Sequence, residues 1–212
     1  MENLGSGGLV SDAIGAILRH IRDNDLMPGD RLPSEASLSK ELNVSRTVVR
    51  ESFRSLAAMS LMIEHGVHTD QINIQQIYDV RRTIETRIVA LAAMRRSDAE
   101  AAEILALAVR MLECADNPAA LMEHDLAFHT TLARASRNPV YSLLIGAFQG
   151  ITRQTWPIGW KSRPTQASRD LMLATHQDIA RAVAAGDPQQ AVAAMAQHFD
   201  ESVRALLAAG MS

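Results

Sequence analysis

The chain has 212 residues, a formal net charge of −3, 47% hydrophobic residues and only 4% aromatic ones. That apolar share suffices for a real core and excludes a disordered polymer, while the near-neutral charge means that any DNA-binding surface is local. The single cysteine, Cys114, excludes an internal disulfide and suits a reducing cytoplasm. No apolar run is long enough to span a bilayer and no signal peptide is evident, so a cytoplasmic protein with no membrane partner is expected.

Residues 1–8 are rich in Gly and Ser and are expected to form a disordered tail. Leu9, Ala13, Ile14, Ile17, Leu18 and Ile21 keep the helical period and predict a helix over 9–24. After the break at "MPGD" (27–30), Ser34 is placed to cap a second helix over 34–42, and Ser45 a third from Arg46 to about Met59. Only "NVS" separates them, the connection expected of a helix-turn-helix. In "LMIEHGVHTDQINI" (61–74) the β-branched residues around His65-Gly66 predict a short hairpin.

From about Asn73 onward the sequence predicts six helices, at 74–95, 98–115, 118–136, 139–156, 165–185 and 188–209. The breaks fall at Ser97-Asp98, Asn117-Pro118, Asn138-Pro139, "PIGWKSRP" (157–164) and "GDP" (186–188). Six helices of similar length with short connections predict an antiparallel bundle. The expected fold is therefore mainly α: a three-helix module with a small β-hairpin over 9–72, then an all-helical domain over 73–212.

In the third helix Val49, Phe53 and Leu56 share one face, while Arg46 and Arg50 stand one turn apart on another with Thr47 nearby. Such an arginine pair suits phosphates or guanine edges in a major groove; it equally suits a solvated charged face. The module's overall charge does not decide, since residues 9–70 hold seven Lys/Arg against nine Asp/Glu, but residues 45–54 hold three Arg against one Glu.

The stretch "GDRLPSEASLSKELNVSRTVVRESFRSL" (29–56) resembles the winged helix-turn-helix of the GntR family of bacterial transcription regulators. Gly29, Leu32, Pro33, Ser34, Glu35, Leu38, Val44, Ser45, Arg46, Val49, Arg50 and Glu51 carry the likeness, with His65, Gly66 and Thr69 in the wing. Ala36, Val48 and His68 depart from the family pattern, which bears on the operator that is read. The resemblance implies contacts to double-stranded DNA from Arg46, Thr47 and Arg50, wing contacts from His65 and Gly66, and phosphate contacts from Arg31 and Ser34.

In the bundle, "EHDLAFH" (123–129) sets Asp125 and His129 one turn apart on the stripe that carries Leu121 and Leu132. His176 shares a stripe with Leu173, Ile179 and Val183, and His198 one with Met195 and Ser202. An ionised carboxylate turned into an apolar interior is costly unless paired or metal-bound. Each imidazole alone reads as a hydrogen-bonded core histidine; one Asp and three His together make a donor set for a divalent metal ion such as Zn²⁺ or Ni²⁺.

"DLAFH", "HQDIARAV" and "MAQHF" are also similar to the effector domain, called FCD, of the FadR subfamily, and "IYDVRRTIE" to its first helix. The short join and six bundle helices resemble the VanR-type branch. That likeness implies a metal held by Asp125, His129, His176 and His198, with positions left for water or a small organic acid or sugar acid. Candidates to face such an anion are Arg81, Asn138 and Arg153, although Arg81 has an alternative partner in Glu85 at i+4. The expected function is a ligand-responsive regulator, a repressor acting as a homodimer on a pseudo-palindromic operator. Two alternatives are a regulator whose effector is the ion itself and a metal-dependent hydrolase.

Overall fold

The computed structural model describes Ala13, Ala16, Ile17, residues 33–69 and residues 71–211. The expected tail over 1–8, Arg31 and most of the expected first helix lie outside the described residues, although Ala13, Ala16 and Ile17 are helical. The chain divides into two compact units, Met1–Met62 and Ile63–Ser212, upstream of the join expected at residue 72.

In the first unit, helix α1 (Glu35–Glu41) starts where Ser34 Oγ accepts the Ser37 N–H at 3.1 Å. The turn after it uses Asn43 at φ 51, a left-handed conformation that asparagine tolerates. Helix α2 (Arg46–His68) then begins with Ser45 Oγ accepting from Val48 N at 3.2 Å. Ile17, Leu38 and Val49 form the small core, with Leu42, Val44 and Phe53 against it.

The expected hairpin at 61–74 is not formed. Helix α2 runs through it to His68, and no strand occurs among the described residues. The chain leaves no room for a return strand. The N–H groups of Thr69, Gln71 and Ile72 close the helix end on the carbonyls of His65 and Gly66, and Asn73 already caps the next helix. Gly66 is needed for closeness rather than for a turn: a Cβ there would come within 2.5 Å of Ile72 Cδ1. Ile63 and Val67 from this end of α2 pack against the core of the second unit.

The second unit is a bundle of α3 (Ile74–Arg95), α4 (Asp98–Glu113), α5 (Pro118–Ala135), α6 (Pro139–Lys161), α7 (Gln166–Ala185) and α8 (Pro188–Ala208). Its boundaries follow local chemistry. Asn73 with Gln76, and Ser97 with Glu100, form capping boxes, while Pro118, Pro139 and Pro188 open their helices. Gly186, at φ 71, ends α7. Helix α3 packs on α5, α7 and α8, so that Ile88, Val89, Phe128, Leu132, Ile179, Val183, Met195 and Phe199 fill one continuous core.

Helix α6 also departs from expectation, continuing to Lys161 through Pro157, where the sequence predicts an end at 156. A proline inside a helix forfeits one backbone hydrogen bond at a cost of about 3 kcal/mol. Burial of Trp160 among Met111, Leu121, Met172 and Leu173 offsets that cost. The extra turn carries Gly159 and Trp160, and Arg163 just beyond it, to the functional site.

Candidate metal centre

His129 and Asp125 come from α5, His176 from α7 and His198 from α8, and all four side chains are buried. One donor atom from each of the three histidines lies within 4.8 Å of the other two. Asp125 borders the same space: its Oδ1 is 2.8 Å from His176 Nε2 and 3.9 Å from His129 Nε2. The cluster forms because each helix spends a position on its buried stripe on a polar group, and the four positions fall at one level of the bundle.

Two of the rings have their orientation fixed by the protein. His176 Nδ1 donates to the Met172 carbonyl at 2.8 Å, which leaves Nε2 as the lone-pair nitrogen. Asp125 stands close to that nitrogen but outside hydrogen-bonding direction, so Nε2 is buried without a hydrogen-bond partner. His129 Nδ1 is bonded to Glu85 Oε2, which turns its Nε2 toward Asp125. His198 Nδ1 is likewise buried with no hydrogen-bond partner. Unsatisfied buried nitrogens converging with a carboxylate are what a divalent cation would satisfy, and three imidazoles with one carboxylate suit Zn²⁺ or Ni²⁺.

The electrostatics agree with that use. Burial drives the His198 imidazole well below its ordinary pKa, and the neighbouring His176 and His129 push it further, so it is held in the neutral, ligating form. Burial alone would raise Asp125, but His176, His129 and Arg81 together hold it below the usual carboxylate range. Glu85 is treated the same way, with burial outweighed by His129 and Arg81.

A cavity of about 40 Å³ opens beside the cluster, room for on the order of three water-sized groups. Tyr78, Thr152, Thr155 and Ser202 supply hydroxyls to its lining, Trp156 and Trp160 an aromatic wall, and Arg81 and Arg163 the cations. The indoles of Trp156 and Trp160 stack at 5.6 Å. Arg81 lines the cavity and also takes the alternative partner: its Nε and Nη2 lie 2.9 Å from Glu85 Oε1.

Asn138 and Arg153 do not line the cavity. The Asn138 side chain caps α6 by accepting from Val140 N at 3.1 Å, and Arg153 is paired with Glu123 through both nitrogens. Two contributors had no distinct signal in the sequence. Glu85 is visible only as a partner for Arg81, and Arg163 sits in a stretch that reads as a helix break.

In the first unit Arg46, Thr47 and Arg50 are exposed along the start of α2. Arg50 is paired with Glu35, with Nη2 at 2.8 Å from Oε2. Ser34 is occupied as the α1 cap. His65 and Gly66 lie in the last turns of α2 instead of a wing, with His65 exposed and Gly66 buried.

Comparison with known proteins agrees with this architecture. The FCD domain matches residues 76–201, and "Bacterial regulatory proteins, gntR family" matches residues 9–67. The HTH-type transcriptional regulator LutR of Bacillus subtilis (strain 168) is 31% identical over 205 residues, covering 84% of this chain and 92% of that protein. The Fatty acid metabolism regulator protein of Shewanella sp. (strain MR-4) is 33% identical over 168 residues, 68% of each chain. The solved structure of Streptococcus agalactiae GntR shares the fold, with a TM-score of 0.56, 23% identity and coverage of 92% of this chain and 98% of that one. The chain belongs to the GntR family of bacterial transcription regulators, with a helix-turn-helix domain followed by an FCD domain.

Proposed function

We propose that this regulator binds its operator as a homodimer and is controlled by a small carboxylate or sugar acid seated beside a divalent ion in the bundle. The observation that carries this is the convergence of His129, His176 and His198, two of them with unsatisfied buried nitrogens, on a cavity that also holds Asp125 and arginines. Asp125, His129, His176 and His198 would hold the ion; once bound, it offers a positive point for an anionic oxygen. Arg81 lends positive potential from behind, with Glu85 fixing its position and that of His129. The Ser202 hydroxyl suits a hydroxylated acid, while Thr152 and Thr155 are engaged with Arg81, Tyr78 and helix carbonyls.

Arg46, Thr47 and Arg50 are the residues assigned to DNA, with Arg31 and Ser34 at phosphates and His65 and Gly66 at the end of α2. One recognition helix reads too few base pairs for genomic specificity, which argues for two copies on a pseudo-palindrome. The acid acts as a negative effector if it binds the operator-free conformation more tightly, so acid and operator weaken each other reciprocally. A hydrolase needs a free base, and Glu85, the carboxylate behind His129, is engaged by Arg81 and His129.

The test is metal analysis of the purified protein and of His176→Ala, followed by operator binding with ion alone and with ion plus small acids. The variant is expected to lose the ion, and operator affinity to change only when an acid is added. Equal metal content in both proteins would remove the site; a response to the ion alone would make the ion the effector.

A further inference from the structure

Charge bookkeeping in the cavity separates its two arginines. Arg81 and Glu85 cancel as a buried pair. Arg163 has no such partner: it is 9% exposed, its Nη1 donates to the Gly159 carbonyl at 2.7 Å, and no carboxylate lies within 4.0 Å of its guanidinium among the described residues. A guanidinium carries five N–H donors, so most of its capacity is not accounted for by that one carbonyl. The backbone is held as well: the Arg163 carbonyl accepts from Arg169 Nε at 3.1 Å, and the Arg169 guanidinium sits 4.9 Å over the Trp160 ring.

Histidines that hold a metal ion do so as neutral imidazoles, so in the loaded site Asp125 and Arg163 are the charges that stand beside the ion's own. A divalent ion on the histidine cluster raises the enclosed charge to two positive units. Buried charge of that size demands compensation, and water alone supplies none. We infer that Arg163 is the anion anchor of the cavity and that the effector is a short dicarboxylate, one carboxylate on the ion and the other on Arg163. The inference rests on the metal-and-acid reading above and narrows it. The small cavity favours a short chain between the carboxylates, and the Ser202 hydroxyl favours a hydroxylated backbone. Burial lowers the pKa of Arg163, opposed in part by Tyr78, Asp125 and Glu201.

The experiment is calorimetric titration of the full-length, Zn²⁺-loaded protein with malonate and malate, against acetate and lactate. Wild type is expected to bind the diacids about tenfold to a hundredfold more tightly than the monoacids, the scale of a charge-assisted bidentate contact. Arg163→Met is expected to bring both classes to the same affinity with its Zn²⁺ content unchanged. Arg163→Lys, which keeps the charge, is expected to retain part of the preference and serves if the methionine variant misfolds. Equal affinity of wild type for the two classes, or an intact preference in Arg163→Met, overturns the inference, as does Zn²⁺ binding without binding of any acid. Failure of the wild-type protein to bind Zn²⁺ at all instead removes the reading on which it rests.

Discussion

Replacing Glu85 with glutamine tests the metal centre from behind. Glu85 is 1% exposed; one oxygen lies 2.9 Å from both Arg81 Nε and Nη2, and the other is bonded to His129 Nδ1. Glutamine keeps the shape and removes the charge, leaving Arg81 as a buried cation without its ion-pair partner and with only the unpaired field of Asp125 to oppose it. Loss of one partner of a buried pair costs about 3–5 kcal/mol, a large part of the roughly 5–15 kcal/mol that keeps a domain folded. The amide retains some hydrogen bonding, so the lower end is expected, read as a shifted midpoint in urea denaturation of the metal-free protein. The second effect is separate. An amide can donate or accept, so it no longer selects one His129 tautomer as the carboxylate does, and loss of such a support lowers metal affinity about tenfold to a hundredfold. Competition of the folded variant against a chromogenic Zn²⁺ chelator measures it. Unchanged Zn²⁺ affinity in a protein destabilised as calculated would show that Glu85 only buries Arg81, and would refute its role in the site.

Three further outcomes are expected. Arg46→Ala is expected to weaken operator binding and to reduce the dependence of log affinity on log salt by about one unit, if Arg46 meets a phosphate; an unchanged slope in fluorescence anisotropy would dismiss that contact. Gly66→Ala is expected to destabilise the protein by about 1–3 kcal/mol through overpacking against Ile72, and Ile72→Val in the same chain to recover part of it; additive losses in urea would argue against the packed helix end. Removal of the ion by a chelator is expected to lower the melting temperature, because an ion present at about 100 times its Kd contributes about 2.7 kcal/mol; identical melting curves with and without chelator would count against the site.

The sequence exposes those features of the site that depend on helical period. Asp125 and His129 stand at i and i+4, and His176 and His198 each share an apolar stripe, so their burial follows from spacing alone. What spacing cannot reveal is a contact between distant elements. Glu85 looks like the mate of Arg81 because both lie on one helix; its second contact, to His129, exists only once α3 packs on α5. Local signals also mislead where packing outweighs them. Pro157 reads as a stop, but burial of Trp160 carries α6 past it, and Arg163 just beyond that turn has no periodic pattern to mark it. The β-branched residues near His65 read as a hairpin; with Asn73 already capping α3, Ile63 and Val67 are partly buried as part of a helix instead.

The Met172 carbonyl and Glu85 hold the His176 and His129 rings through protein contacts alone. An arriving ion therefore has little side-chain disorder to remove, and the entropy that usually opposes assembly of a coordination sphere has been spent in folding. A centre preorganised in this way changes little between its empty and filled forms, and so has little with which to signal the ion's presence. On the proposed reading the ion would serve as a fixed part of the receptor, and the variable left for the protein to sense would be what comes to rest on it.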